Sequence, residues 1–240
     1  MRSLELAKRN FKEVWRDPLS LGLTIGLPTL LLVILRALQG VDEFFSATML
    51  APGIVLFGFV MLMFSAAMSL SRDRESALFS RLLTAPVGAT DFVSAYSLPY
   101  LAVAIIQAVV LFGVGGLLGL EIKGSVGLVV LVLFVMAIFY VGMGMTLGAL
   151  FAVAPLSGAY AVILLLTIFG GAWMDLEAIG GAFQSVGNAL PFAHAIDASR
   201  DVMIDGAGFG AIATDFYWVL GYTLVTVGLA ILLFKRKMLE

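Results

Sequence analysis

Apolar residues in this chain of 240 gather in long blocks separated by short charged ones, with no fine alternation of the kind a half-buried strand requires. A bilayer core about 30 Å thick is crossed by roughly 20 apolar residues at 1.5 Å rise per residue. Six windows meet that length: residues 19–38, 52–70, 96–120, 126–153, 156–174 and 216–234. Arg36, near the end of the first, can snorkel outward. The fourth and fifth windows are divided at Ala152-Val153-Ala154-Pro155, because proline removes a backbone donor and disfavours helix in the residue before it. The pattern predicts an all-α polytopic membrane protein with six transmembrane helices.

Two charged segments have helical period. In residues 2–16, Leu4, Ala7, Phe11, Val14 and Trp15 share one face, while Lys8, Arg9, Lys12, Glu13 and Arg16 share the other. A basic amphipathic helix of this kind lies in the membrane interface, with Trp15 at headgroup level, until Asp17-Pro18 turns the chain into the bilayer. Phe11, Trp15 and Arg16 are its candidate anchors; a plain basic anchor without further role is the alternative. Between the second and third windows, Leu78, Phe79, Leu82 and Leu83 form the apolar side of a short helix whose polar side carries Arg74, Glu75, Ser76, Ser80 and Arg81, and Pro86 ends it. Glu75 and Arg81 are too far apart for an i, i+4 pair, so their charges are expected to face solvent or another protein. An apolar knob framed by charges suits docking into a partner's groove. The segment from 175 to 214 is long and apolar for a loop and is expected to hold short re-entrant helices broken at Leu190-Pro191.

Composition agrees: 61% of residues are hydrophobic and 12% charged, with a mean hydropathy of +1.07, too apolar for one soluble core of this size. The net charge of −2 is uninformative until it is divided between faces. All basic residues except Arg36, Lys123 and Arg200 fall in the N-terminal, central and C-terminal segments, which the positive-inside rule assigns to the cytoplasm. The expected location is therefore the cell (plasma) membrane, with both termini cytoplasmic. The first apolar run, with its long basic head and no small-residue cleavage site, is expected to be a retained span.

Candidate chemistry is sparse. The chain has no cysteine and a single histidine, His194, so neither a thiolate metal site nor a histidine pair is available. No G-x-x-x-x-G-K-[ST] phosphate loop occurs, and Gly113-Val114-Gly115-Gly116 lies in an apolar run without lysine. Few ionisable residues lie within the spans, which argues against an ion-coupled carrier and suits an amphipathic cargo. The residues offered for its path are Met61, Ser65, Met68 and Ser69 on the second span and Tyr160 and Thr167 on the fifth. Pro191, Asp197 and Arg200 are the candidates for an outer gate, with Asp197 and Arg200 spaced to pair on one helix. Glycines four apart at Gly22/Gly26, Gly115/Gly119 and Gly144/Gly148 allow close helix contacts, within one subunit or between two.

Three stretches carry a resemblance. Arg72-Asp73-Arg74-Glu75 followed by Arg81-Leu82-Leu83 and Thr84-Ala85-Pro86, the opening Asn10-Phe11-Lys12-Glu13-Val14-Trp15-Arg16-Asp17-Pro18, and Leu190-Pro191-Phe192-Ala193-His194 through Arg200 stand in an order that resembles the ABC-2 type exporter permeases. Asp73 replaces the glutamate usual in that motif, and Ala77-Leu78 the usual Gly-Thr. The resemblance implies a non-catalytic transmembrane domain over 1–240: an interfacial helix (1–17), a cytoplasmic coupling segment (72–92) and an outer re-entrant region (175–214). It further implies a subunit that pairs into a homodimer or a heterodimer with a related permease and is driven by a separate ABC-type ATPase subunit. ATP and Mg would bind that subunit and no cofactor this chain. Arg74, Glu75, Leu78, Arg81 and Leu82 would transmit the ATPase motion, exporting a drug-like or lipid-like substrate. An ATP-independent six-span channel or scaffold is the alternative.

Overall fold

The computed structural model describes residues 2–75, 88–173 and 180–237. Among them every regular element is helical. Helix α1 (Arg2–Trp15) is followed by six helices long and apolar enough to cross a membrane: α2 (Pro18–Arg36), α3 (Ala47–Glu75), α4 (Ala89–Leu117), α5 (Val126–Leu150), α6 (Val153–Ala172) and, after two short helices, α9 (Phe209–Lys237). The short pair is α7 (Gly181–Gly187) and α8 (Pro191–Arg200), α8 continuing through a wide turn to Asp205.

The boundaries differ from the sequence expectation where charge ends a hydropathy window but not a helix. Helix α3 runs past its apolar stretch through Arg72, Asp73, Arg74 and Glu75, and α4 begins at Ala89, seven residues before its apolar window. The break between α5 and α6 lies at Phe151-Ala152, and Pro155 occupies the first turn of α6. Proline is accepted there because a first-turn N–H has no helical partner to lose.

Helix α3 is the centre of the molecule, packing most extensively on α5 and also on α4, α6 and α2. The α3–α5 contact depends on Gly144 and Gly148. A Cβ on Gly144 would lie 2.5 Å from the Met63 carbonyl oxygen, and one on Gly148 2.6 Å from that of Ala67. This is the close backbone approach that small residues permit in lipid, where no hydrophobic force draws helices together and packing must supply the attraction. A Cβ on Gly22 or Gly26 would meet nothing within 4 Å. The four-residue spacing alone does not distinguish these cases.

Candidate functional site

The last turn of α3 is a hub that touches four other helices. Asp73 accepts a hydrogen bond from the Arg9 guanidinium of α1 at 2.6 Å and from the Tyr96 hydroxyl of α4 at 2.5 Å. Asn10, one residue on, donates from its side-chain amide to the Ala95 carbonyl at 3.3 Å. Helix α1 thus has a protein-facing side of Leu6, Ala7 and Asn10, all buried, while Phe11 and Trp15 are exposed and stack with ring centroids 6.2 Å apart. Ala7 was expected on an apolar face, whereas the burial of Leu6 was not. Arg16 is exposed.

On its other side the same turn fastens the α5–α6 corner. The Ser71 hydroxyl donates to the Phe151 carbonyl at 2.9 Å, Arg74 donates to the Gly148 carbonyl at 2.5 Å, and the Glu75 carboxylate accepts from the Val153 N–H at 3.2 Å. A cation at the C-terminus of α5 and an anion at the N-terminus of α6 both complement the helix dipoles and occupy backbone groups left without helical partners. Glu75, whose charge was expected to face solvent or another protein, is exposed and also accepts the Val153 bond from its own chain, while Arg74 is half-buried. Leu78, Arg81 and Leu82 lie outside the described residues.

Beside the hub is a cleft of about 400 Å³ between α2, α3, α4 and α6. Met61, Ser65, Met68, Ser69 and Tyr160 line it, together with Phe64, while Glu13, Asp17 and Arg72 stand around it. Met61 and Arg72 are eleven positions apart, so the cleft follows α3 for about 16 Å. Five of the six residues offered for a substrate path are therefore brought together. Thr167 is not among them: it is fully buried and shares a 2.8 Å hydrogen bond with the Tyr140 hydroxyl. Sequence position could not separate it from Tyr160, since both lie on α6 and differ only in which side of the helix faces α5. Asp17 caps α2, accepting from the Ser20 N–H and hydroxyl at 3.1 and 2.6 Å; those bonds hold its carboxyl below the usual range.

At the opposite face, α8 is buried against α3, α5 and α9, starting at the buried Pro191. Arg200 donates to the Met49 carbonyl at 3.0 Å and to the Gly171 carbonyl at 3.4 Å, with its guanidinium 5.4 Å from the Phe44 ring centre. Gly171 has φ of 95°, a conformation that suits glycine, and it ends α6 with its carbonyl presented to Arg200. Arg200, expected to pair with Asp197 on the same helix, thus ties α8 to α3 through Met49 and to the end of α6 through Gly171. Burial pushes the Asp197 carboxyl up to about 6, against the smaller opposing effect of the Arg200 charge. Sequence reasoning gave no site role to Arg9, which it placed only on the polar face of the first helix, nor to Ser71, Tyr96 or Asp215, the last lying on α9 with its carboxylate 2.6 Å from His194 Nδ1 of α8. None has a local signature, and their partners are 64, 80, 23 and 21 residues distant.

The six long apolar helices define a multi-pass membrane protein, with polar junctions at its two faces. The chain belongs to the ABC-2 type transporter family, whose family model matches residues 3–204. It is also 26% identical over 199 residues to the ABC transporter G family member 20 of Dictyostelium discoideum. That match covers 78% of this chain and 27% of the relative, so the chain corresponds to about a quarter of that longer protein.

Proposed function

We propose that this chain is the membrane-spanning subunit of an ATP-driven exporter and that a separate ATPase subunit supplies the motion. The observation that supports it best is the hub at the end of α3, where residues 71–75 grip α1, α4, α5 and α6 within one helical turn. A displacement applied to the 76–87 segment that follows would reach five helices together. Arg81, Leu78 and Leu82 are assigned to the contact with the ATPase, and Arg74 and Glu75 to passing the motion to the α5–α6 corner. In this reading the hub faces the cytoplasm, α1 rests in the inner interface through Phe11 and Trp15, and two such subunits form the pathway.

The cleft is the proposed entry for cargo. Its methionines and aromatic rings offer an adaptable apolar wall, and its charged rim lies beside α1, so it suits an amphipathic drug-like or lipid-like molecule taken from the inner leaflet. ATP produces transport by preferring one conformation of the assembly, since a ligand shifts an equilibrium only through differential affinity.

The test is ATPase activity of a co-expressed ATPase subunit in lipid vesicles, with and without this chain. Leu82→Asp should abolish both association and stimulation. Glu75→Gln should keep association and reduce stimulation. Failure of any co-encoded ATPase to associate, together with ATP-independent flux through vesicles of the chain alone, would replace the exporter with the channel reading.

A further inference from the structure

The cleft beside the hub is graded in polarity from its mouth inward. On α3 its wall carries Arg72, then Ser69 and Ser65; on α2 it carries Asp17, then Ser20 and Thr24. Both stripes step by three and then four residues, which keeps each on one helical face. The two helices are consecutive spans and run antiparallel, so the stripes start at the same end, one with a cation and the other with an anion. Seven residues rise about 10 Å along a helix. Beyond that depth α3 presents Met61 and Leu62 to the cleft, and α4 presents Val103. The order is charge, hydroxyl, hydrocarbon.

Hydroxyls elsewhere in the spans bond back to the carbonyl four residues earlier, as Thr146 does to Gly142 at 3.0 Å, Thr167 to Ile163 at 2.9 Å and Thr226 to Tyr222 at 2.7 Å. That bond satisfies a polar group that hydrocarbon cannot. Among the described residues, the Thr24 and Ser65 hydroxyls donate no such bond and line the cleft instead. They are placed to bond whatever polar group enters it.

The charges at the mouth have both signs. Arg72 is exposed, and among the described residues it makes no ion pair, whereas Asp73 and Arg74 beside it are turned to other helices. The Ser20 bonds, and to a smaller extent the Arg72 charge, hold the Asp17 carboxyl below its usual range. Glu13 lines the cleft four residues before Asp17 and meets Arg9 at 3.4 Å. A guanidinium fork suits a phosphate, and carboxylates accept N–H bonds from a primary ammonium. A purely anionic headgroup would face two carboxylates, and a purely cationic one would face Arg72. Quaternary ammonium groups are held on aromatic faces. The rings of this cleft are at its hydroxyl level: Tyr100 donates to the Ser65 carbonyl at 3.2 Å, and Tyr160 lies 4.8 Å from the Phe64 ring, centroid to centroid.

We propose that the cleft binds a phospholipid of the ethanolamine class from the leaflet on the hub side, with its phosphate at Arg72 and its ammonium at Asp17 and Glu13. The glycerol and its esters lie against the hydroxyls of Ser20, Thr24, Ser65 and Ser69. A volume of about 400 Å³ is that of a small-molecule site and takes the headgroup and glycerol, while the acyl chains stay in the bilayer. The assignment rests on the cleft being the cargo entry proposed above, and it names the class of cargo.

The test uses lysophosphatidylethanolamine carrying a fluorophore at the end of its acyl chain, titrated with the purified full chain in neutral detergent and read by anisotropy. The same labelled tail on phosphoglycerol, phosphocholine and a simple amine supplies the comparisons. The ethanolamine probe should bind at least about fivefold more tightly than each of the others. Arg72→Gln should weaken it about tenfold and leave the amine probe unweakened. Arg72→Glu should invert the order, placing the amine first. Asp17→Asn with Glu13→Gln should place the phosphoglycerol probe first; asparagine keeps the cap on α2, so only charge is lost there. Loss of folding lowers all affinities together, whereas an exchange of rank requires contact with the headgroup.

Equal affinities for all the probes, an amine or phosphocholine probe that matches the ethanolamine one, or a rank unchanged by these substitutions would overturn the site. If Arg72→Glu fails to fold, the rank in the Asp17→Asn, Glu13→Gln variant decides. The assay contains no ATPase. The expected rank in a chain that stimulates no ATPase would keep the lipid site and remove the exporter, and stimulation without the expected rank would keep the exporter and remove the ethanolamine assignment.

Discussion

The Arg9 guanidinium and the Asp73 carboxylate meet at 2.6 Å, joining α1 to the last turn of α3 across 64 residues of sequence. The Asp73 side chain is only 13% exposed, against 35% for Arg9, and Tyr96 donates to the same carboxylate oxygen. A buried carboxylate that loses a partner costs more than an exposed ion pair of similar length, because its desolvation is then uncompensated.

Arg9→Gln, which leaves the buried Asp73 carboxylate without its cation, should therefore destabilise more than Asp73→Asn, which leaves only the more exposed Arg9. A double-mutant cycle in thermal unfolding of the purified protein is expected to give a coupling of about 1–2 kcal/mol, the lower end reflecting the exposure of Arg9. Additive effects of the two substitutions would show that α1 is held by Leu6, Ala7 and Asn10 alone.

Gly148→Val should prevent α3 and α5 from packing. Its Cβ would be 2.6 Å from the Ala67 carbonyl oxygen, so backbone has to move, and a loss of more than about 3 kcal/mol is expected. Gly22→Ala has open space and should change stability by less than about 1 kcal/mol. The comparison is read as the fraction of each variant that elutes monodisperse from detergent extraction.

Asp197→Asn should stabilise the protein in a pH-dependent manner. Burial raises the carboxyl to about 6, so the folded state holds the proton more tightly than the unfolded chain. The contribution of Asp197 to stability is fully present below about pH 4 and is lost as pH rises through about 6. The amide should thus raise the unfolding temperature at pH 7.5, corresponding to about 1–2 kcal/mol, with little difference at pH 4. A difference equal at both pH values would assign the effect to packing.

In the cleft, Met68→Trp and Ser65→Trp should reduce binding of a fluorescent amphiphile to the purified chain at least about tenfold by filling space, with unchanged thermal stability. Thr167→Val should leave that binding intact while costing about 1–3 kcal/mol, because the Tyr140 hydroxyl loses a buried partner. The reverse pattern would move the binding site from the cleft to the α5–α6 contact.

The sequence by itself determined the class and the number of spans. A run of about 20 apolar residues has one stable solution in lipid, a helix that satisfies its own backbone, and hydropathy records it locally. It also marked the short helices before the last span through Leu190-Pro191, and the charged turn at 72–75 through its family motif. What it left open were the partners, because a charge in a motif does not say what it faces. Arg74 and Glu75 stand side by side in the motif, yet the fold brings the Gly148 carbonyl to one and the Val153 N–H to the other. Gly144 and Gly148 have the same spacing as Gly22 and Gly26, yet only the first pair meets another backbone. His194 is a lone histidine until α9 places Asp215 beside it. Periodicity along a chain fixes which faces exist, whereas contacts between residues tens of positions apart depend on how helices cross. That crossing is decided by the simultaneous packing of all six spans, which only the tertiary structure supplies.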